Sequence, residues 1–202
     1  MDPIDLLVVF LVGYLAGSIP TAYLVGRLVM GVDLRVEGEG NIGARNTFHV
    51  VGRGWGLAVF AADFAKGGAI ALAFADASHA RLATATTAVL IGHCFPVWLH
   101  FVGGKGLSAV AGTTVALVPW AAAAGGAAAG VVWLARRRFL PTTVAAIVVG
   151  IVSAPVFGAS LFEVGLIVWL FALTGVKRAI DEPRMRAVEA TTGWDRATGL
   201  RG

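Results

Sequence analysis

Charge is what this 202-residue chain has least of. Asp, Glu, Lys and Arg make up 14% of it, against about 25% in soluble domains. So few charges do not cover the surface of a soluble globule of this size. Cysteine is nearly absent: Cys94 has no partner in the chain, which excludes a disulfide framework. Intrinsic disorder is excluded by a 57% share of hydrophobic residues. No repeat recurs at a fixed period. The first apolar run has acidic flanks, Asp2 and Asp5, and no convincing small-residue cleavage site, so it reads as a span and not as a signal peptide. The net charge of +4 and pI of about 9.8 do not point to nucleic acid, because the aromatics lie in apolar runs and are not interleaved with basic residues. What is present is apolar length, with a mean hydropathy of +0.80. The class that remains is an all-α, polytopic integral membrane protein.

Runs of about 18 apolar residues or more predict spanning helices. Ile4 to Met30 is the first, broken at Gly17-Ser18-Ile19-Pro20, where proline removes a backbone donor. A polar, glycine-rich segment follows from Gly31 to Gly54. The second span covers Trp55 to Phe74, and the third follows Asp76 to Arg81 and ends near Phe101. Leu107 to Ala135 divides into two short helices with a turn near Val118 to Ala121. Their small residues, Ala121 to Gly130, suit close helix packing. A sixth span covers Pro141 to Phe157 and a seventh Leu161 to Gly175. Residues 1–176 are thus expected to form one transmembrane domain, with 177–202 a charged cytoplasmic tail lying on the membrane surface, partly helical or loose. One side of the membrane receives Arg27, Arg35, Arg45, Arg53, Lys105, Arg136 to Arg138 and the tail cations; the other receives Arg81. The positive-inside rule then puts the N-terminus outside and the C-terminus in the cytoplasm. Making the fourth and fifth helices a re-entrant pair leaves every polar loop on the same side.

Three polar clusters meet on the cytoplasmic side. In Gly38-Glu39-Gly40-Asn41-Ile42-Gly43-Ala44-Arg45-Asn46, alternating glycines free the backbone to expose consecutive N–H groups, which bind anions. A flexible loop is the plainer reading. Gly103-Gly104-Lys105-Gly106-Leu107-Ser108 opens a helix. It offers close backbone approach, a point charge and a helix dipole to an oxyanion. It lacks the Walker spacing, so nucleotide binding is not implied. Asp63 and Lys66 share one helix face inside the second span. They are either a self-neutralising pair that fixes packing or part of a wet, substrate-facing cavity. His93 precedes Cys94, but no further ligands stand at zinc spacing, so no metal is expected and His93 reads as a support for the glycine loop. The six tryptophans mostly sit near span ends, as in an interfacial belt.

These motifs together resemble the bacterial acyl-phosphate:glycerol-3-phosphate acyltransferases. The resemblance rests on Gly17-Ser18-Ile19-Pro20 with Tyr23-Leu24, and on Asp33-Leu34-Arg35 followed by Gly38-x-Gly40-Asn41-x-Gly43-Ala44-x-Asn46. Asp63-x-x-Lys66-Gly67 adds to it, as does Gly92-His93-x-Phe95-Pro96 with Phe101-x-Gly103-Gly104-Lys105-Gly106. It implies seven spans, a cytoplasm-facing site in the cell membrane and no cofactor. It also implies transfer of a fatty acyl group from acyl phosphate to the 1-hydroxyl of glycerol 3-phosphate, giving lysophosphatidic acid. Lys105, Arg45 and Asn46 are then the expected catalytic residues. Gly38, Glu39, Gly40, Asn41, Gly43, Gly103, Gly104, Gly106 and Ser108 are expected to bind substrate or phosphate, with Asp63, Lys66, His93 and His49 in support. The chain departs from the family pattern at Glu39, where the family has serine, and at Arg45, where it has threonine. His49 aligns with a family arginine, and Lys177-Arg178 is the nearest remnant of the C-terminal signature. Arg45 is expected to take over the missing arginine's phosphate contact. Two other readings use the same residues: a non-catalytic relative that binds an anionic lipid or phosphometabolite, and a small transporter of phosphorylated solutes.

Overall fold

Pro20 has no backbone N–H to give, and the first apolar run breaks beside it. The computed structural model describes residues 3–195 and 200–201. In it α1 (Pro3–Ser18) stops two residues short of α2 (Thr21–Val25), which a π-helical turn, Gly26–Met30, continues. A loop then leads to α3 (Ala44–Val50), followed by α4 (Arg53–Ala73) and α5 (His79–Cys94). A 3-10 turn, Val97–Leu99, and the second glycine loop lead to α6 (Leu107–Leu117) and α7 (Pro119–Arg136). Then come α8 (Phe139–Ser153), extended by a 3-10 turn at Ala154–Phe157, and α9 (Leu161–Thr192). The expected turn in the long apolar run falls at Val118, with Pro119 opening α7, where a missing N–H costs nothing. Two short strands, β1 (Trp194–Asp195) and β2 (Leu200–Arg201), pair antiparallel beyond α9. They are a small addition to a helical fold.

Small residues set how the helices meet. A side chain at Gly17 of α1 would overlap the Val89 carbonyl of α5, and one at Gly92 of α5 would overlap the Tyr14 carbonyl. Gly67 of α4 and Gly112 of α6 meet the carbonyls of Ala109 and Phe64 in the same reciprocal way. Thr113 Oγ1 adds a hydrogen bond to the Gly67 carbonyl at 3.2 Å. Such backbone contact replaces the hydrophobic driving force that lipid does not supply. α7 lies on α8 through Ala121 and Gly125. Helix α9 closes the bundle: Leu166 and Leu170 pack with Leu82, Leu90, Cys94 and Val110. Ile167 joins Val118, Ala121 and Ala154.

The outer face is apolar, with Leu7, Leu57, Leu72, Leu134, Val148 and Val152 exposed. Four segments are long and apolar enough to cross a membrane: Pro3–Met30, Arg53–Ala73, His79–Leu99 and Phe139–Phe157. The chain is a multi-pass membrane protein. α6, with 11 residues, rises only about 16 Å, roughly half a hydrocarbon core.

The first part of the tail is helical. α9 runs unbroken through the division expected at 176/177 and past Pro183 to Thr192. Burial explains it. Lys177 and Asp181 form an ion pair at 2.7 Å, both buried, and Met185 is buried one turn later. The first part of the tail is therefore a rigid extension of the last helix and not a loose surface segment. The rest of the tail beyond Asp195, apart from Leu200 and Arg201, lies outside the described residues.

The close approach of α4 and α6 makes Gly67 a sensitive position. Gly67→Val should lower the thermal unfolding midpoint in detergent markedly, as overpacking costs about 1–3 kcal/mol or more. An unchanged midpoint would contradict the backbone contact.

Candidate functional site

The first polar loop is built around one amide. Asn46 is fully buried. Its Nδ2 donates to the carbonyls of Leu34, Glu37 and Asn41 at 2.9–3.1 Å, and its Oδ1 accepts from the Glu39 N–H at 3.0 Å. At the loop's start Asp33 accepts from the Arg35 guanidinium at 2.7 Å. Burial alone would raise the Asp33 pKa, but the hydrogen bonds from Arg35 and the charges of Arg35 and Arg27 hold it below the usual carboxylate value. Gly38 and Gly40 take positive φ of 59° and 66°, which suits glycine. Their carbonyls turn toward the tail, accepting from Thr192 and Arg184. The Gly40 N–H donates to the Glu37 carbonyl at 3.0 Å. The Glu39 and Gly40 N–H groups are thus bonded within the loop. Asn46, expected to be catalytic, shapes this loop from within and does not line the cavity described next.

That cavity has a volume of about 600 Å³. The loop and α3 contribute Glu39, Asn41, Gly43 and Arg45 to its polar end. Glu39 is buried, its Oε2 3.2 Å from Nη1 of Arg45. The Arg45 guanidinium also lies over the Phe139 ring at 5.1 Å. The Asn41 side-chain oxygen is buried with no hydrogen-bond partner. Lys105, Gly106 and Ser108 enter from the start of α6, and Asp63 and His93 from α4 and α5.

The second glycine loop is shaped by packing on the end of α5. Gly103 and Gly104 donate their N–H groups to the carbonyls of Cys94 and His93, each at 3.1 Å. A side chain at Gly104 would overlap His93 Nε2. Gly106 has φ of 82° and is the N-cap of α6. Gly103 and Gly104 do not line the large cavity; they hold the backbone that presents Lys105, which is half-buried and does. The His93 carbonyl accepts from this loop, and its ring faces the cavity.

Asp63 and Lys66 divide their roles. Lys66 Nζ lies 2.8 Å from Asp63 Oδ1 and donates to the Ile19 carbonyl at 2.8 Å, within the break made by Pro20. Lys66 is a brace and does not line the cavity, whereas the buried Asp63 does, 3.8 Å from His93 Nδ1. His49 lies outside the site: it is exposed, its ring edge-on to Trp194 at 5.5 Å. Partial burial and the nearby Arg45 charge hold its pKa below the ordinary histidine value.

Two groups were not foreseen. Thr174 and Arg178 of α9 line the polar end. Their spacing of four places them on one helical face, a signal visible only if the helix continues past Gly175. Ala121 to Gly130 were read as packing. Ala121 and Gly125 do pack, but Ala122, Gly126 and Ala129 face the cavity, opposite Val144, Ile147 and Ile151 of α8. Among the described residues, no three His, Cys, Asp or Glu side chains gather as a metal site needs.

Comparison with known proteins places relatives beside this geometry. A family model described as glycerol-3-phosphate acyltransferase matches residues 7–182. A glycerol-3-phosphate acyltransferase of Anaeromyxobacter dehalogenans (strain 2CP-C) is 49% identical over 130 residues, 60% of this chain. The match spans 64% of that relative's length, a little under two thirds. Glycerol-3-phosphate acyltransferase 1 of Dehalococcoides mccartyi is 36% identical over 191 residues, covering 85% of this chain and 86% of its own. Among solved structures, PlsY (YgiH), an integral membrane glycerol 3-phosphate acyltransferase, is similar in its glycerol 3-phosphate form. The TM-score is 0.80 at 27% identity, over 98% of this chain and 96% of that one. Its lysphosphatidic acid form gives 0.76 over 91% and 92%.

The many bonds made by one amide predict the effect of removing it. Asn46→Ala takes the side-chain donor from the buried Leu34 and Asn41 carbonyls and the acceptor from the Glu39 N–H, at about 1–3 kcal/mol for each left unsatisfied. Amide exchange of residues 34–46 should speed up strongly while that of α1 and α5 is retained. Unchanged protection of the loop would refute its dependence on Asn46.

Proposed function

The chain belongs to the glycerol-3-phosphate acyltransferase family, and from that premise we infer that it moves a fatty acyl group from acyl phosphate to the 1-hydroxyl of glycerol 3-phosphate. The observation that carries this reading is one continuous cavity with two unlike ends. The polar end brings Arg45, Lys105 and Arg178 together with Asn41. The other end is an apolar groove between α6, α7, α8 and α9. Two phosphates and an alkyl chain need that combination.

Acyl phosphate is already activated, so positioning and electrostatics supply most of the barrier reduction. The glycerol hydroxyl oxygen attacks the acyl carbon. A new ester C–O bond forms, the bond to the phosphate oxygen breaks, and inorganic phosphate leaves with the electron pair. The hydroxyl proton passes to a substrate phosphate oxygen, so no protein base is required. Lys105 and Arg178 hold the acyl phosphate's anionic group. Arg45, aimed by Glu39 and Phe139, holds the phosphate of glycerol 3-phosphate, and the unpartnered Asn41 oxygen accepts from its hydroxyls. Asn46, Gly38, Gly40, Gly103 and Gly104 shape the two loops and touch neither substrate. No cofactor takes part.

The topology follows the same reading. The polar loops, the ends of α5 and α7 and the start of α8 meet at the cavity's charged end. With α1–α2, α4, α5, α6, α7, α8 and α9 as seven segments, the charge asymmetry puts this end in the cytoplasm and the N-terminus outside. Residues 1–176 form the membrane-embedded body, and the first turns of the tail extend it into the cytoplasm.

Losing a charge that meets the developing phosphate should cost about 10²-fold or more in kcat, so Lys105→Ala should nearly abolish phosphate release from palmitoyl phosphate. Arg45→Ala should instead raise the KM for glycerol 3-phosphate. Near-normal turnover of the first variant would overturn the assignment of Lys105, and an unchanged KM in the second that of Arg45. The groove gives a separate test. Gly126 lines it, and a Cβ there meets nothing within 4 Å, so Gly126→Leu projects into the groove without backbone strain. Each methylene denied burial forgoes about 0.8 kcal/mol. The variant should therefore shift preference from palmitoyl phosphate toward shorter acyl phosphates, and an unchanged preference would move the acyl chain out of this groove.

A further inference from the structure

We propose that Arg184, on the part of α9 beyond the membrane, is a positioning residue that sets the glycerol 3-phosphate loop from outside the cavity. Arg184 lies just past the region matched by the family model, which ends at residue 182. Its Nη1 donates to the Gly40 carbonyl at 2.7 Å and to the Arg35 carbonyl at 3.3 Å. Those acceptors are more than 140 residues away in sequence, at each end of the turn that carries Glu39.

The Gly40 carbonyl belongs to the peptide bond that Asn41 follows. That unit is planar and trans. Drawing the oxygen toward Arg184 turns the Asn41 N–H the opposite way and fixes the backbone from which Asn41 and Glu39 reach the cavity. Thr192 Oγ1 repeats the arrangement about two turns further along, donating to the Gly38 carbonyl at 2.9 Å. Val188, between them, packs against Gly40, where any side chain would crowd it. Three successive turns of one helix face thus hold a glycine turn whose Glu39 and Gly40 N–H groups are already bonded internally.

The strap is itself fixed. Asp181 lies 3.8 Å from Arg184 Nη2 and 2.7 Å from Lys177. Lys177 in turn lies over the Phe95 ring at 4.8 Å, at the end of α5. A line of contacts therefore runs from α5, beside His93, through Lys177, Asp181 and Arg184 to the Glu39–Arg45 pair. This chain has Glu39 where the resembling family has serine. A carboxylate near an anionic substrate is tolerable only while it stays on Arg45, and a loop held at both glycine carbonyls keeps it there.

The proposal rests on the acyl-transfer reading for its kinetic effect, and a structural readout tests it independently. The experiment compares the purified full-length chain with Arg184→Ala, Arg184→Lys and Thr192→Val. Arg186→Ala serves as control, because Arg186 is solvent-exposed and pairs with Glu182. Lysophosphatidate formation is measured with glycerol 3-phosphate and palmitoyl phosphate varied in turn, and amide exchange of residues 34–46 is followed in the same samples. Loss of one charge-assisted hydrogen bond should raise the glycerol 3-phosphate KM about tenfold in Arg184→Ala. The palmitoyl phosphate KM should stay within about twofold, and Arg184→Lys should recover most of the loss. Thr192→Val should show a smaller shift of the same kind. Equal KM values in Arg184→Ala and Arg186→Ala would overturn the proposal. So would both substrates' KM rising together without rescue by lysine. If the parent chain makes no lysophosphatidate, the acyl-transfer reading fails. The strap is then judged on exchange alone: faster loop exchange in Arg184→Ala than in Arg186→Ala supports it, and equal exchange overturns it.

Discussion

The backbone carbonyls of a polar loop at the lip of a membrane cavity are stable only if something donates to them. Unsatisfied groups in such a place cost several kcal/mol in total. Here Asn46 donates from within and the extended α9 donates from outside. The first loop's share of the polar end hangs on that arrangement. It fixes Glu39 and Asn41, and through Glu39 it aims Arg45. The same accounting explains Lys66, which meets the Ile19 carbonyl where Pro20 breaks the first helix.

The basic residues accordingly fall into two sets. Arg35, Lys66, Lys177 and Arg184 are spent on carboxylates and carbonyls and hold the scaffold. Arg45, Lys105 and Arg178 reach the cavity. Arg45 belongs partly to both, since Glu39 holds it while the cavity lies open beside it. That sharing suits a site where a phosphate competes with a carboxylate for one guanidinium, with the pair intact when no substrate is present. The apolar groove works by the complementary rule. Glycines and alanines that pack on one side of α7 leave room on its other side.

Much of the helical layout was legible because apolar runs and prolines speak directly about helices. The break at Gly17 to Pro20, the turn at Val118 and the two glycine loops fall where these residue types require them. For the first loop the sequence pointed to glycine-rich backbone but not to how that backbone is bonded. Alternating glycines signal positive φ, but not whether the freed N–H groups face a ligand or, as at Gly40, another carbonyl of the same turn. Asn46 looked like a site residue because a buried asparagine and a substrate-binding one are alike in sequence. How far the last helix runs was left open because Gly175 and Pro183 are helix breakers by propensity. Tertiary burial of Lys177, Asp181 and Met185 overrides them, and that pairing across the bundle leaves no local mark. Arg178 and Thr174 were missed with it.

The most direct test of the account uses the unaltered chain in lipid bilayers, supplied with palmitoyl phosphate and glycerol 3-phosphate. The account predicts lysophosphatidate and inorganic phosphate in equal amounts, formed only when both substrates are present. Phosphate release that ignores glycerol 3-phosphate, or binding of glycerol 3-phosphate with no product, would contradict it.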